Sequence, residues 1–461
     1  MPGNEVLLRR GAAAVVSRDV PGLTLLDAYE AIRRTRAAER PVLFDGGAWS
    51  AIALEPRETL RLGEAWEHED AHGTRRLSTP RALDHVRASL REWTVEDGAP
   101  FVGGWAGYFG FEFAAELERL PLRVEADVPR AELRFFTASL GPTAEGVRVS
   151  VLERESPRAA EERLDGLVRD LRGPPAEDPR PPLAKPAASS FARPAFEDAV
   201  RRVLAYIREG HAYQVNLAQR FRGPLPMDPW SAYRRARARN PSPFMGYVPG
   251  DGWAIACNSP ERLVTTRGRD AFTSPIAGTR RRGASPGEDD VLEAELRRDA
   301  KENAEHVMLV DLERNDLGKA CAFGSVRVAP DELMTVERYS HVMHLVSHVR
   351  GRLAPGKDAL DALLALFPGG TVTGVPKVRA CEILAELEPV PRGPYTGTMG
   401  YLSANGASDW NLMIRTLVTR GGEGRVSVGA GIVADSDPGR EYEETLAKGR
   451  HWFEVLGWRP A

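Results

Sequence analysis

Cysteine is scarce: the 461 residues hold three, Cys257, Cys321 and Cys381. An odd, widely spaced set builds no disulfide framework and fits reduced thiols in a cytoplasmic protein. No CxxC pair or HExxH motif offers a local zinc site. Charge of one sign is also lacking. Lys and Arg total 62 against 65 Asp and Glu, a net charge of -3, so no basic field suggests nucleic acid. No apolar run approaches the ~18 residues that a membrane helix needs. The opening MPGNEVLLRRGAAAVVSRDVPG has an apolar stretch too short for a signal peptide. What is present is ordinary for a globular protein, 42% hydrophobic and 28% charged, and long enough to bury a large core.

Residues 172–194 read RGPPAEDPRPPLAKPAASSFARP, rich in proline and alanine and without a helix or strand period. They predict an exposed linker between an N-terminal part, 1–171, and a larger C-terminal part, 195–461. The N-terminal part holds short apolar runs such as PVLFDGG and PFVGGWAGYFGFEF, which predict strands and tight turns and little chemistry. Beyond the linker, Phe196, Val200, Val203, Leu204 and Ile207 recur at helical spacing, with Gly210 as a stop. YQVNLAQRF alternates like a half-buried strand, Gln214 opposite in face to Val215. Further helices are expected from about Asp289 to Asp311, ending near Gly318, then from near Pro376, and from near Gly439. The mixture lacks a βαβ rhythm, which points to an α+β fold.

Five constellations could carry chemistry. KENAEH places Glu302 and Glu305 three apart on one helix face, and REYEETLAKGR repeats this with Glu441 and Glu444, Lys448 one turn on. Two such helices could converge on a hard cation such as magnesium, or simply be two solvated faces. FPGGTVTGVPK gathers glycines, hydroxyls and a helix start, suited to an anion or to a capped helix with Thr373 near the N-cap and Pro376 in its first turn. VGAGIVADSDP ends a strand on Gly429, Ala430 and Gly431, where a ligand could approach the backbone. Arg415 lies in LMIRTL, an otherwise apolar strand, and if buried needs an acidic partner or a substrate carboxylate. Glu261 follows Pro260 in SPERL. It is a general acid if held protonated, or a surface glutamate pairing with Arg262.

The order of these motifs is more telling than any one. SPERL, PIAGTRRRG, KENAEHVMLVDLERNDLG, VERYSHVMHLVS, FPGGTVTGVPKVRA, RGPYTGTMGY, IRT, GAGIVADSDP and EYEET together resemble the chorismate-utilising enzymes. That family includes the large components of anthranilate and aminodeoxychorismate synthases and the isochorismate and salicylate synthases. The match runs from about Phe196 to Lys448, with a looser likeness before it. The resemblance implies an α+β assembly with a β-sandwich core and flanking helices. It implies Mg2+ as cofactor, held by Glu305 and Glu444 with Glu302 and Glu441 beside them. Glu261 then matches the acid that helps the 4-hydroxyl of chorismate leave. Gln214 and His344 fall at positions of the catalytic pocket. Thr371, Tyr395, Arg415, Gly429, Ala430, Gly431 and Lys448 fall at substrate-binding positions.

Gln214 distinguishes branches. The isochorismate and salicylate synthases carry a water-activating lysine there, so a glutamine implies ammonia as nucleophile. No cysteine stands in a glutaminase pattern, so a glutamine amidotransferase subunit or free ammonia is the expected source. YQVNLAQRF with Asn216, FPGG followed by TG, and RGPYTGTMGY resemble the aminodeoxychorismate branch. The tryptophan-binding LLES motif of anthranilate synthases is missing from PVLFDGGAWSAIALEP. Ala277 in PIAGT is instead the anthranilate pattern, where aminodeoxychorismate synthases carry a nucleophilic lysine. The expectation is therefore 4-amino-4-deoxychorismate, on the way to 4-aminobenzoate and folate, with anthranilate as the alternative. A silent scaffolding subunit is the reading from another class. The retention of Glu261, Arg415, Lys448 and all four helical glutamates stands against it.

Overall fold

The computed structural model describes residues 13–125, 127–172, 185–338 and 342–460. Most of the expected linker, and the middle of VERYSHVMHLVS, lie outside the described residues. The C-terminal end of the linker is strand rather than loop. Lys185–Ser189 pairs with the strand Gln214–Pro224 on one side and runs parallel to Trp458–Pro460 on the other. Extended, proline-containing backbone is tolerated at such a sheet margin.

The two parts of the chain share their sheet. Gln214–Pro224 pairs antiparallel with Glu423–Ile432, which pairs with Thr416–Arg420, then Trp253–Ser259, then Phe244–Pro249. From there the ladder crosses into the N-terminal part, through Val42–Asp45, Ala51–Leu62, Ala131–Pro142 and Gly104–Phe109. It crosses back at Thr398–Ser403 and continues through Ser408–Asn411, Arg262–Arg267 and Asp270–Thr273. A separate three-stranded sheet joins Ile276–Arg281, Val342–Val346 and Thr335–Arg338. Mixed helix and antiparallel sheet is the α+β class expected.

Helices cover the sheet where its apolar residues require it. Arg193–Arg208 buries Phe196, Val200, Val203 and Leu204 against Val215, Leu217, Ala430 and Ile432, together with Ala380, Ile383 and Leu384 of Lys377–Leu387. Each of the larger apolar side chains contributes about 1.5–3 kcal/mol relative to exposure. This cover explains why Gln214–Pro224 is buried on both faces and not half-buried. The helix expected from Asp289 to Asp311 is two helices, Pro286–Arg298 and Ala300–Gly318. Asp299 separates them with extended backbone, and its Oδ1 accepts from Glu302 N at 3.1 Å, so it caps the second helix. Among the described residues, no helix is long and apolar enough to cross a membrane. All three cysteines are free and buried.

Candidate active site

Glu261 occupies the turn between Trp253–Ser259 and Arg262–Arg267. It is buried, and Thr371 Oγ1 donates to its Oε1 at 2.8 Å. Arg262 does not pair with it; that guanidinium grips Asp409 instead, at 2.9 Å. Burial pushes the Glu261 carboxyl up to about 8, with the nearby Glu313 adding to the rise, and the Thr371 hydrogen bond, Arg415 and Lys448 opposing it. At neutral pH it is mostly protonated, the state a general acid requires. Glu313, which the sequence reading passed over, is itself buried, accepts from Thr273 and is pushed up to about 7 by burial.

Thr371 belongs to a four-residue helical turn, Gly370–Thr373, rather than to the helix that follows. Thr373 is accordingly not the cap of that helix. Pro376 holds the N-cap and Lys377 opens the helix. The turn carries Thr371 to Glu261, and its carbonyl accepts from Asn216 Nδ2 at 3.3 Å.

Arg415 is not a strand residue. It takes a left-handed φ of 48° in the link before Thr416–Arg420. Its carbonyl accepts from Asn258 N at 3.1 Å and from Trp452 Nε1 at 2.7 Å, which hold this unfavourable backbone. Among the described residues its guanidinium makes no hydrogen bond or ion pair. Burial lowers its affinity for a proton, and Glu261 opposes that. A half-buried guanidinium without an acidic partner among the described residues can accept a carboxylate. His344 stands near it on Val342–Val346 and faces Thr279, whose Oγ1 lies 2.9 Å from Nδ1. Burial, with Arg415 contributing, pushes His344 down to about 4, so the imidazole is neutral.

Gln214 and Asn216 lie two apart on one strand and so share a face. Gln214 Nε2 donates to Glu305 Oε1 at 2.6 Å. The buried acceptors Gln214 Oε1 and Asn216 Oδ1 have no hydrogen-bond partner among the described residues. Across the ladder Gly431 opposes Asn216 and Gly429 opposes Ala218. A Cβ on Gly431 would sit 2.6 Å from Gln214 Nε2, and one on Gly429 2.5 Å from Asn216 Oδ1 and 3.0 Å from the Tyr395 hydroxyl. Only glycine leaves room there. Ala430 points the other way, its methyl in the helix-covered core, so it offers the site only backbone. Tyr395 is buried, its hydroxyl pushed well above its ordinary range.

The four helical glutamates play unequal parts. Glu302 Oε1 binds Arg280 at 2.7 Å, while its buried Oε2 has no hydrogen-bond partner among the described residues. A Cβ on Gly278, at the bulge beside Ala277, would come within 2.5 Å of that oxygen. Glu305 meets Gln214. Glu441 is buried on Pro438–Leu456, and Glu444 on the same helix pairs with Lys448 at 2.6 Å, both about half exposed. Lys448 Nζ also donates to Gly429 O at 3.1 Å. Among the described residues, no three of these carboxylates bring ligand atoms within 4.8 Å of one another. The donors are all oxygen, and an orphaned buried carboxylate oxygen suits a hard cation that keeps most of its waters. The structure thus gathers Glu261, Thr371, Arg415, Lys448, Tyr395, Gly429, Gly431, Gln214 and Glu305 from distant parts of the chain.

The chain is similar to known proteins along most of its length. The family described as chorismate binding enzyme matches residues 34–453, so the likeness reaches well into the N-terminal part. Anthranilate synthase component 1 of Thermus thermophilus is 44% identical over 88% of this chain and 89% of its own. Aminodeoxychorismate synthase component 1 of Bacillus subtilis is 38% identical over 87% of this chain and 88% of its own. The crystal structure of anthranilate synthase component I from Streptococcus pneumoniae superposes with a TM-score of 0.77 at 31% identity, covering 94% of this chain and 99% of that one. With most of its length matched, the chain belongs to the chorismate-binding enzyme family.

Proposed function

We propose that the protein aminates chorismate, using ammonia delivered by a glutamine amidotransferase subunit. The observation that carries this reading is the pair of buried amide oxygens, Gln214 Oε1 and Asn216 Oδ1, left without partners among the described residues. An amide has no basicity with which to activate water. Two acceptors on one face of a strand suit a nucleophile that arrives with N–H bonds of its own. Arg415 and Lys448 take the substrate carboxylates, and the Tyr395 hydroxyl and the backbone of Gly429 and Gly431 complete the floor. Hydroxide is a poor leaving group, so Glu261 gives its proton to the departing 4-oxygen. Glu305 and Glu444, with Glu302 and Glu441 beside them, would hold magnesium. When bound, the ion supplies positive charge against the ring carboxylate of chorismate.

The product we assign is 4-amino-4-deoxychorismate. Its support is YQVNLAQRF, FPGGTVTG, RGPYTGTMGY and the missing LLES. In place of LLES, Trp49 fills its own surroundings, packed on Phe44, Phe244 and Tyr401 with Nε1 donating to Met245 O at 2.8 Å. Anthranilate is the second reading. It is favoured by Ala277, which has no amine for covalent attachment to carbon 2, and by the name of the Thermus relative. The test is incubation with chorismate, magnesium and ammonium, followed by addition of an aminodeoxychorismate lyase. 4-Aminobenzoate formed only after the lyase is expected. Anthranilate without the lyase overturns the product, isochorismate without ammonia overturns the role of Gln214, and unconsumed chorismate overturns the enzyme reading.

A further inference from the structure

We propose that Glu58, His68 and His85 form a zinc site in the N-terminal part, where no residue of the chorismate site lies. Glu58 is on the strand Ala51–Leu62 and His68 on its neighbour Trp66–Asp70, where Leu60 pairs with His68. Glu58 is two residues from Leu60 and shares its face. His85 comes from the helix Thr79–Glu92, one turn before Ser89. The Nε2 atoms of His68 and His85 lie 2.6 and 2.7 Å from the same oxygen, Glu58 Oε2, with the rings 4.3 Å apart. All three ligand atoms fall within 4.8 Å of one another. The side chains of His68, Glu58 and His85 are 1, 12 and 23% exposed, so the cluster is dry at its base and open at His85.

Two imidazoles and a carboxylate are a donor set that zinc prefers to magnesium. Tetrahedral zinc with bonds of about 2.0–2.1 Å spaces its ligands about 3.3 Å apart, so the side chains must open by less than ~1 Å. The half-open His85 can supply that movement. Ser89 Oγ, 3.5 Å from His85 Nε2, or a water takes the fourth position. The outer contacts of His68 must change for the ion to bind. Arg75 Nε donates to His68 Nδ1 at 2.8 Å, which keeps the His68 proton on Nε2. Entry of the ion moves that proton to Nδ1, where Asp70 Oδ2 waits at 3.8 Å, and the exposed Arg75 swings away. A carboxylate behind a metal-bound imidazole is the usual support for such a ligand. The ion would tie the hairpin of Glu58 and His68 to the helix of His85.

Zinc retention tests this. Full-length protein stripped with chelator is titrated with zinc, desalted and assayed for bound metal, and cobalt is loaded in parallel for its visible absorption. One zinc per chain, a higher melting temperature and tetrahedral cobalt bands are expected. In His85→Gln, which keeps an N–H toward Glu58, zinc affinity falls by more than roughly tenfold and the bands vanish. Glu302→Gln leaves both unchanged, which separates this site from the carboxylates proposed for magnesium. Wild-type protein without stoichiometric zinc or cobalt bands overturns the proposal whatever the variants do. So does a folded His85→Gln that binds zinc as tightly.

Discussion

Glu261 combines an acid's protonation state with an energetic penalty of the same origin. Its carboxyl is held at about 8 in the fold against an ordinary 4.5, chiefly by burial. A group raised in this way stabilises the fold fully below its unfolded value and loses that contribution as pH rises through about 8. Two consequences follow in opposite directions. Turnover should decline as pH passes about 8, because the acid loses its proton. Glu261→Gln imitates the protonated carboxyl, so it should lose roughly 10²–10⁴ in kcat yet melt at a higher temperature than wild type above that pH. Paired kcat and melting profiles across pH check both. A variant that loses activity and melts lower at every pH would make Glu261 a packing residue and not the acid.

Among the elements, the break at Asp299 sets the helix that carries Glu302 and Glu305. A single unbroken helix would carry Glu302 and Glu305 in the frame set by Pro286–Arg298. The cap at Asp299 starts a new axis, and Arg280 braces it from the small sheet, binding Asp299 at 3.1 Å and Glu302 at 2.7 Å. Asp299→Ala should cost about 1 kcal/mol in denaturant unfolding, the usual value of a lost N-cap. It should also raise the magnesium concentration needed for half-maximal activity while leaving the chorismate KM nearly unchanged. Titration of magnesium against wild type reads the second effect. An unchanged magnesium requirement would detach Glu302 from the metal.

At the scale of the molecule, the N-terminal part supplies no side chain to the proposed chemistry, yet it supplies sheet. Val42–Asp45 covers the edge of Phe244–Pro249, and Gly104–Phe109 covers Thr398–Ser403. Without those partners the catalytic part would expose two strand edges, the standard template for aggregation. A piece beginning at residue 185 should therefore be insoluble when expressed alone. Co-expressed with residues 1–172, it should yield a soluble complex that consumes chorismate. Sedimentation and chorismate assays on the two preparations decide this, and a soluble, active C-terminal piece would show the ladders to be dispensable.

The sequence alone carried the family and the α+β class, and it named Glu261 and most of the residues gathered around it as candidates, because each sits in a short motif whose neighbours fix its local geometry. The helix starts near Pro376 and Gly439 were legible for the same reason: proline and capping residues act within a turn. What the sequence left open was long-range. Arg415 read as a strand residue because its neighbours are apolar, and only the carbonyl contacts of Asn258 and Trp452 reveal the left-handed turn. Glu313 carried no signal in the sequence, and only its burial beside Glu261 sets it apart. No spacing motif could announce Glu58, His68 and His85, since two adjacent strands and a helix bring them together. Local capping and periodicity act over a few residues and can be read along the chain. Desolvation and convergence depend on which distant segments pack together, and only the folded structure decides that.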